Sequence, residues 1–144
     1  GGGKGMREIF KEEELEKAQK LILNESVKKD IEYKIVKGNS TTDINWKKDT
    51  IFIRIFDQER VDGDRVMIVL NNKVVHENLL LTNTGTIFKI VLNKGVNYLK
   101  IKALNVGALS PNTSKIELYN SDHKEYFLNF LENKQSLEYK ISNY

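Results

Sequence analysis

"RVMIVLNNKVVHENLLL", residues 65–81, decides the fold. Its first six residues are apolar on both faces after Arg65, the pattern of a central strand covered on two sides. Asn71-Asn72 then interrupts the run. Asparagine tolerates the positive φ that a two-residue hairpin requires, so the chain is expected to turn there and return from Lys73. The same period-two signature recurs in both directions along the chain. Upstream lie "TIFIRIF" (50–56), where Ile51, Ile53 and Ile55 share a face, and "IEYKIVK" (31–37). Downstream lie "TIFKIVL" (86–92), "VNYLKIKAL" (96–104), "SKIELYN" (114–120), "KEYFLNF" (124–130) and "SLEYKIS" (136–142). In "VNYLKIKAL" Leu99, Ile101 and Ala103 are expected to face inward and Lys100 and Lys102 outward.

Turn chemistry separates these runs: Asn83-Thr84-Gly85, Asn93-Lys94-Gly95, Pro111-Asn112-Thr113, Ser121-Asp122 and Asn133-Lys134. About nine short strands at roughly ten-residue spacing imply an all-β, antiparallel β-sandwich of jelly-roll or immunoglobulin-like type. The single proline, Pro111, falls in a loop, where it costs no ladder bond.

The sandwich is expected over residues 30–144, preceded by a helical extension or linker over 7–29. In "REIFKEEELEKAQKLILNESVKK", Glu13–Lys17 and Glu16–Lys20 are i,i+4 pairs in the favourable orientation. Leu15, Ala18 and Ile22 form one apolar stripe. Such a segment packs on the edge of its domain, links it to another, or docks on a partner. Residues 1–6, "GGGKGM", read as a cloning scar, so a signal peptide removed upstream is compatible with the chain.

The 144 residues suffice for one domain, and a chain of that length buries roughly 68–70% of its unfolded surface. Net charge is +3, from 23 Lys+Arg against 20 Asp+Glu, with no basic block of the kind that grips nucleic acid. There is no cysteine, which excludes disulfides and thiolate metal sites. No apolar run approaches the ~18 residues of a membrane-spanning helix.

Two motifs draw attention. Asp57, Asp62 and Asp64 fall within eight positions at a strand-to-strand corner. Calcium takes six to eight oxygens from carboxylates and loop carbonyls, so these residues are the candidate metal ligands. Asp62-Gly63 is equally turn chemistry, Asp57 can cap backbone N–H groups, and Arg60 and Arg65 offer the acids ion-pair partners. The second motif, "LNVGALSPNT" (104–113), carries Asn105, Ser110, Asn112 and Thr113. Asn105 and Asn112 are candidate ligand-binding residues, although such side chains commonly tie a loop to itself. Trp46, in the polar stretch "DINWKKD", is expected to be exposed and is the third ligand-binding candidate. With Tyr98, Tyr119 and Tyr126 it would form a stacking platform for a glycan. His76 and His123 lie in no zinc spacing, and no GxSxG elbow or phosphate-binding glycine loop is present.

Residues 57–119 resemble a family of secreted or envelope-associated β-sandwich domains common in the Bacteroidetes. The residues that carry the resemblance are "DQERVDGDRVMIVLNNKVV", "LLLTN", "IVLNKGVNYLKIKALNVGALSPNT" and "SKIELY". The family pattern reads D-x4-D-G-D, a strand, L-N-x-K, L-T-N, G-x-N-x-L and N-x-G-x-x-P-P-N-T. Ser110 stands where the pattern has the first proline. The resemblance implies an extracytoplasmic accessory module, periplasmic, secreted or at the cell surface, and supplies no catalytic residues. The general pattern is also similar to jelly-roll ligand-binding modules with a structural calcium.

These features together point to a non-enzymatic module for binding or assembly, without cofactors except for a calcium ion at the aspartates, and with a protein or glycan partner at the cell surface. A carbohydrate-binding module and a hydrolase whose carboxylates converge only in the fold are the alternatives. A glycan binder needs exposed aromatics on one face, and a hydrolase needs two carboxylates about 5–9.5 Å apart in a cleft. An assembly module needs an apolar patch or an unpaired edge strand.

Overall fold

The computed structural model describes residues 15–17, 19–20, 31–57, 63–106 and 111–144. Ten strands follow in order: β1 (Lys34–Lys37), β2 (Thr41–Asn45), β3 (Thr50–Phe56), β4 (Arg65–Leu70), β5 (Lys73–Leu80), β6 (Thr86–Val91), β7 (Gly95–Ala103), β8 (Asn112–Tyr119), β9 (Lys124–Leu131) and β10 (Ser136–Asn143). They form two five-stranded sheets. Sheet A has the order β1-β9-β8-β3-β6 and sheet B the order β2-β10-β7-β4-β5. Residues 15–17 and 19–20 are helical, and the rest of the expected helix lies outside the described residues.

Alternation builds the core as the sequence predicts. Ile51, Ile53 and Ile55 of β3 and Leu99, Ile101 and Ala103 of β7 are buried between the sheets. Phe127 and Tyr139 pack their rings across the interior, with centroids 5.0 Å apart. The Tyr139 hydroxyl donates to Asn129 Oδ1, and Asn129 Nδ2 donates to Ser114 Oγ at 3.3 Å. A polar bridge thus ties sheet B to sheet A inside the core. Buried polar groups of this kind are tolerable only when paired, and these are.

The Asn71-Asn72 hairpin closes as expected, with φ of 49° and 65° and Leu70 opposite Lys73. Gly85 also carries positive φ (83°), and a Cβ there would lie 2.5 Å from the Ile55 carbonyl oxygen. The Thr82–Gly85 loop therefore presses onto the end of β3 in a way open only to glycine.

Three features depart from the expectation. First, the strands number ten, because "TTDIN" forms β2 with Ile44 as its buried residue. Second, the sheets are not purely antiparallel: β1 pairs in parallel with β9, and β2 with β10. The two connections run side by side between the sheets, joined where Gly38 N donates to Phe130 O and Asn39 N to Ser136 O. Third, β4 lies between β7 and β5 in sheet B but is covered on one face only. Val66 and Ile68 are buried, whereas Met67 and Val69 stay half-exposed on the outer face.

Candidate functional site

The two polar motifs form one structure. Asn105 lies on the loop after β7 and Asn112 begins β8. Asn105 Oδ1 accepts from Arg65 N at 2.8 Å, and its Nδ2 donates to Gly63 O at 3.1 Å. Asn112 Nδ2 donates to Arg65 O at 3.2 Å and to Asn105 O at 2.9 Å. Asp64 Oδ2 accepts from Thr113 N at 3.2 Å. Two asparagines and an aspartate therefore clasp the Gly63–Arg65 corner to the start of β8. Asn112 and Asp64 are each 1% exposed. Asp57, also buried at the end of β3, donates its N–H to Thr82 O at 3.0 Å. Asp62 lies outside the described residues, and among the described residues no three metal-ligating side chains gather. Asn105 is engaged in the clasp through both amide atoms and Asn112 through its Nδ2, while Asn112 Oδ1 is buried without a hydrogen-bond partner among the described residues.

Trp46 corrects the expectation of exposure. It is 1% exposed, its indole N–H donates to Thr50 O at 3.0 Å, and its ring meets His123 edge-on at 5.0 Å. Ile44 and Trp46 are two apart and share the inward face of an edge segment whose outward residues are polar. That spacing was the available signal, hidden by the charged residues on either side.

The expected aromatic platform is likewise divided. Tyr119 and Tyr126 do meet, with centroids 5.8 Å apart, on the outer face of sheet A, and Tyr33 joins Tyr126 at 5.7 Å. Lys115 lies over Tyr33 at 4.6 Å, and Tyr119 is 1% exposed. These rings spend their faces on one another and on lysines. Beside them Arg54 and Glu117, directly paired across β3 and β8, form a buried ion pair at 3.1 Å. The Tyr33 hydroxyl donates to the second Glu117 oxygen at 2.8 Å, and Arg54 Nε donates to Thr84 O at 2.9 Å. Burial first, and then the Glu117 carboxylate, push the Tyr33 phenol well above its ordinary pKa. The arrangement ties Tyr33, Tyr119 and Tyr126 into the outer face of sheet A.

Tyr98 is 43% exposed on the outer face of sheet B, and the other strongly exposed ring among the described residues, Tyr144, is the last residue of the chain, beyond β10. Tyr98 borders a hollow of about 390 Å³ lined by Val69, Asn71, Asn72, Tyr98, Lys100 and Glu138. That is the size of an ordinary small-ligand site, about 300–1,000 Å³. Asn71 holds the Tyr98 backbone by two bonds: Asn71 N donates to Tyr98 O at 2.9 Å, and Tyr98 N donates to Asn71 Oδ1 at 2.8 Å. Asn71 Nδ2 donates in turn to Asn97 Oδ1 at 2.9 Å, and the fully buried Asn97 also holds the backbone of Asn93. The asparagines of "LNNK" and "GVNYL" thus lock the β4–β5 hairpin tip to β7 beneath the ring. Tyr98 was singled out in the sequence. Its neighbours were not, although the outward apolar residues Met67 and Val69 mark a face that core packing does not consume.

Exposed aliphatic residues also line the free edge of sheet B. Val74 is 57% exposed, Leu80 38% and Val75 37% on β5, whose ladder with β4 slips register twice. His76 turns inward from the same strand and meets Phe88 of β6 edge-on at 4.8 Å. Its partial burial lowers its pKa. No helix among the described residues is long and apolar enough to cross a membrane. No family model matches the chain, and no curated protein or solved structure matches it.

Proposed function

We propose that the chain is a non-enzymatic binding module acting outside the cytoplasm, and that it binds carbohydrate on the outer face of sheet B. The observation that supports it best is Tyr98, a half-exposed ring at the rim of a hollow, on backbone bonded to Asn71. An aromatic face stacks on the C–H face of a sugar, and flanking amide, ammonium and carboxylate groups meet its hydroxyls. Asn72, Lys100 and Glu138 supply those three groups around Tyr98. The extracytoplasmic location rests on the resemblance of residues 57–119 alone.

The fold reading that accompanies this is a jelly roll. Taken without β9 and β10, the sheets read β1-β8-β3-β6 and β2-β7-β4-β5, the order of two interleaved Greek keys. The β9–β10 pair inserts between the first two strands and the rest, which is why β1 and β2 end in parallel pairs. We read the aspartate corner as a hydrogen-bonded clasp rather than an ion shell, because Asp64 and Asn112 already serve backbone groups.

A second reading, assembly through the β5 edge, draws on the exposed Val74, Val75 and Leu80. The two register slips weaken it, since bulges blunt a sheet edge against strand addition. Affinity electrophoresis through gels containing soluble polysaccharides tests the first reading. Retardation that disappears in Tyr98→Ala supports it, and retardation unchanged in that variant refutes it.

A further inference from the structure

We infer that the carbohydrate is anionic, a polysaccharide containing uronic acids, an inference that rests on the binding face proposed above. The charges around Tyr98 carry it. Lys140 lies directly opposite Tyr98 across the β7–β10 ladder, and Lys100 directly opposite Glu138. Asp43 of β2 lies opposite Lys140. Lys102 follows Lys100 by two residues, so alternation places Lys100, Lys102, Lys140, Glu138 and Asp43 with Tyr98 on one face.

Opposite charges directly across a ladder ordinarily pair. Here, among the described residues, no ion pair joins Lys100 to Glu138 or Lys140 to Asp43. The ion pairs formed elsewhere include Lys34–Glu125, Lys48–Asp122 and Lys94–Asp49. Three lysines against two acids therefore leave this face with an excess of unengaged ammonium groups beside an open ring. Two of them, Lys100 and Lys140, flank the ring along the strand and across the ladder.

A pyranose stacked on Tyr98 extends its substituents toward both. A ring carboxylate is the substituent that an ammonium on either side favours, while Glu138 in the hollow accepts from sugar hydroxyls. A neutral chain would leave the lysines without a partner. A dense polyanion without sugar C–H faces would leave Tyr98 without one.

The test is a set of binding titrations of the full chain with oligogalacturonate, a neutral glucan oligomer of equal length and inorganic polyphosphate. The expected result is preference for oligogalacturonate, with affinity falling as salt is raised. Lys100→Gln and Lys140→Gln should each weaken it about two- to five-fold, the range of exposed charge pairs. Tyr98→Ala should weaken it more than either. Both lysines are surface residues, so their variants keep the fold, and circular dichroism checks this. Neutral glucan bound as tightly, with the lysine variants unchanged and Tyr98→Ala still defective, overturns the anionic inference and spares the binding face. Polyphosphate bound as well as oligogalacturonate, indifferent to Tyr98, reduces the effect to non-specific charge and overturns it too. Binding of none of the three, or glycan binding indifferent to Tyr98, overturns both readings.

Discussion

Replacing Asn112 separates a hydrogen-bonded clasp from an ion shell at the aspartate corner. Asn112→Ala deletes the bonds to Arg65 O at 3.2 Å and Asn105 O at 2.9 Å. Arg65 O keeps the Leu104 N–H at 2.9 Å, so the loss is of two neutral bonds with one carbonyl still served. At about 1 kcal/mol each the variant should lose about 2 kcal/mol. For a chain of this size that lowers the melting midpoint by about 4–8 °C. Asn112→Asp is nearly isosteric but turns an oxygen toward both carbonyls. The position is 1% exposed, and the Asp64 carboxylate sits on the next backbone N–H, so the new charge is desolvated among oxygens. Its loss at neutral pH should exceed that of alanine, by at least ~1 kcal/mol. Part should return in acid, when the carboxyl protonates and donates to one carbonyl. The assay is urea unfolding of wild type and both variants, in EDTA and in millimolar calcium. A cation in the corner would gain a ligand from the new aspartate. Asn112→Asp more stable than Asn112→Ala in calcium, with the advantage lost in EDTA, would refute the clasp.

Other consequences follow from the buried charges and titrating groups. Glu117→Ala leaves Arg54, 6% exposed, without its carboxylate and should cost about 3–5 kcal/mol in chemical denaturation, whereas replacing both with leucine should recover most of the loss. Tyr33 and Tyr139 are raised above the ordinary phenol value by burial. Their contribution is complete below the unfolded-state pKa of about 10 and is lost as pH rises beyond it, because the unfolded chain ionises first. Tyr33→Phe should flatten the alkaline fall in melting temperature, and an unchanged slope would remove Tyr33 from the account. His76 is lowered by burial, so its contribution is complete above about 6.5 and is lost as pH falls below it. His76→Leu should reduce the drop in stability between pH 7 and 5, which a pH series of melting curves would read.

Local chemistry made much of this fold legible. The alternation of β3 and β7 and the Asn71-Asn72 turn each depend on a few adjacent residues, and the structure realises them. What escaped was set by partners distant in sequence. "TTDIN" has too little apolar character to read as a strand, and it becomes one because the β10 ladder accepts it. The parallel edges depend on where β9 and β10 insert, which no local pattern encodes. At Trp46 the flanking charges mask its two-residue spacing from the buried Ile44. The clasp was half visible: each asparagine was suspect, but their common target at Arg65 lies 40 and 47 residues away. The outer apolar residues of β4 were visible from the start and were assigned to a second covered face. The structure leaves that face open around Tyr98.

Backbone amide shifts in an NMR titration, using a fragment of a polysaccharide that retards the protein in gels, locate the binding face. The shifts are expected to gather at Val69–Asn72, Tyr98–Lys100 and Glu138 and to vanish in Tyr98→Ala. Shifts gathered instead on β5 from Lys73 to Leu80, or on the Asp64–Asn112 corner, would contradict binding at Tyr98.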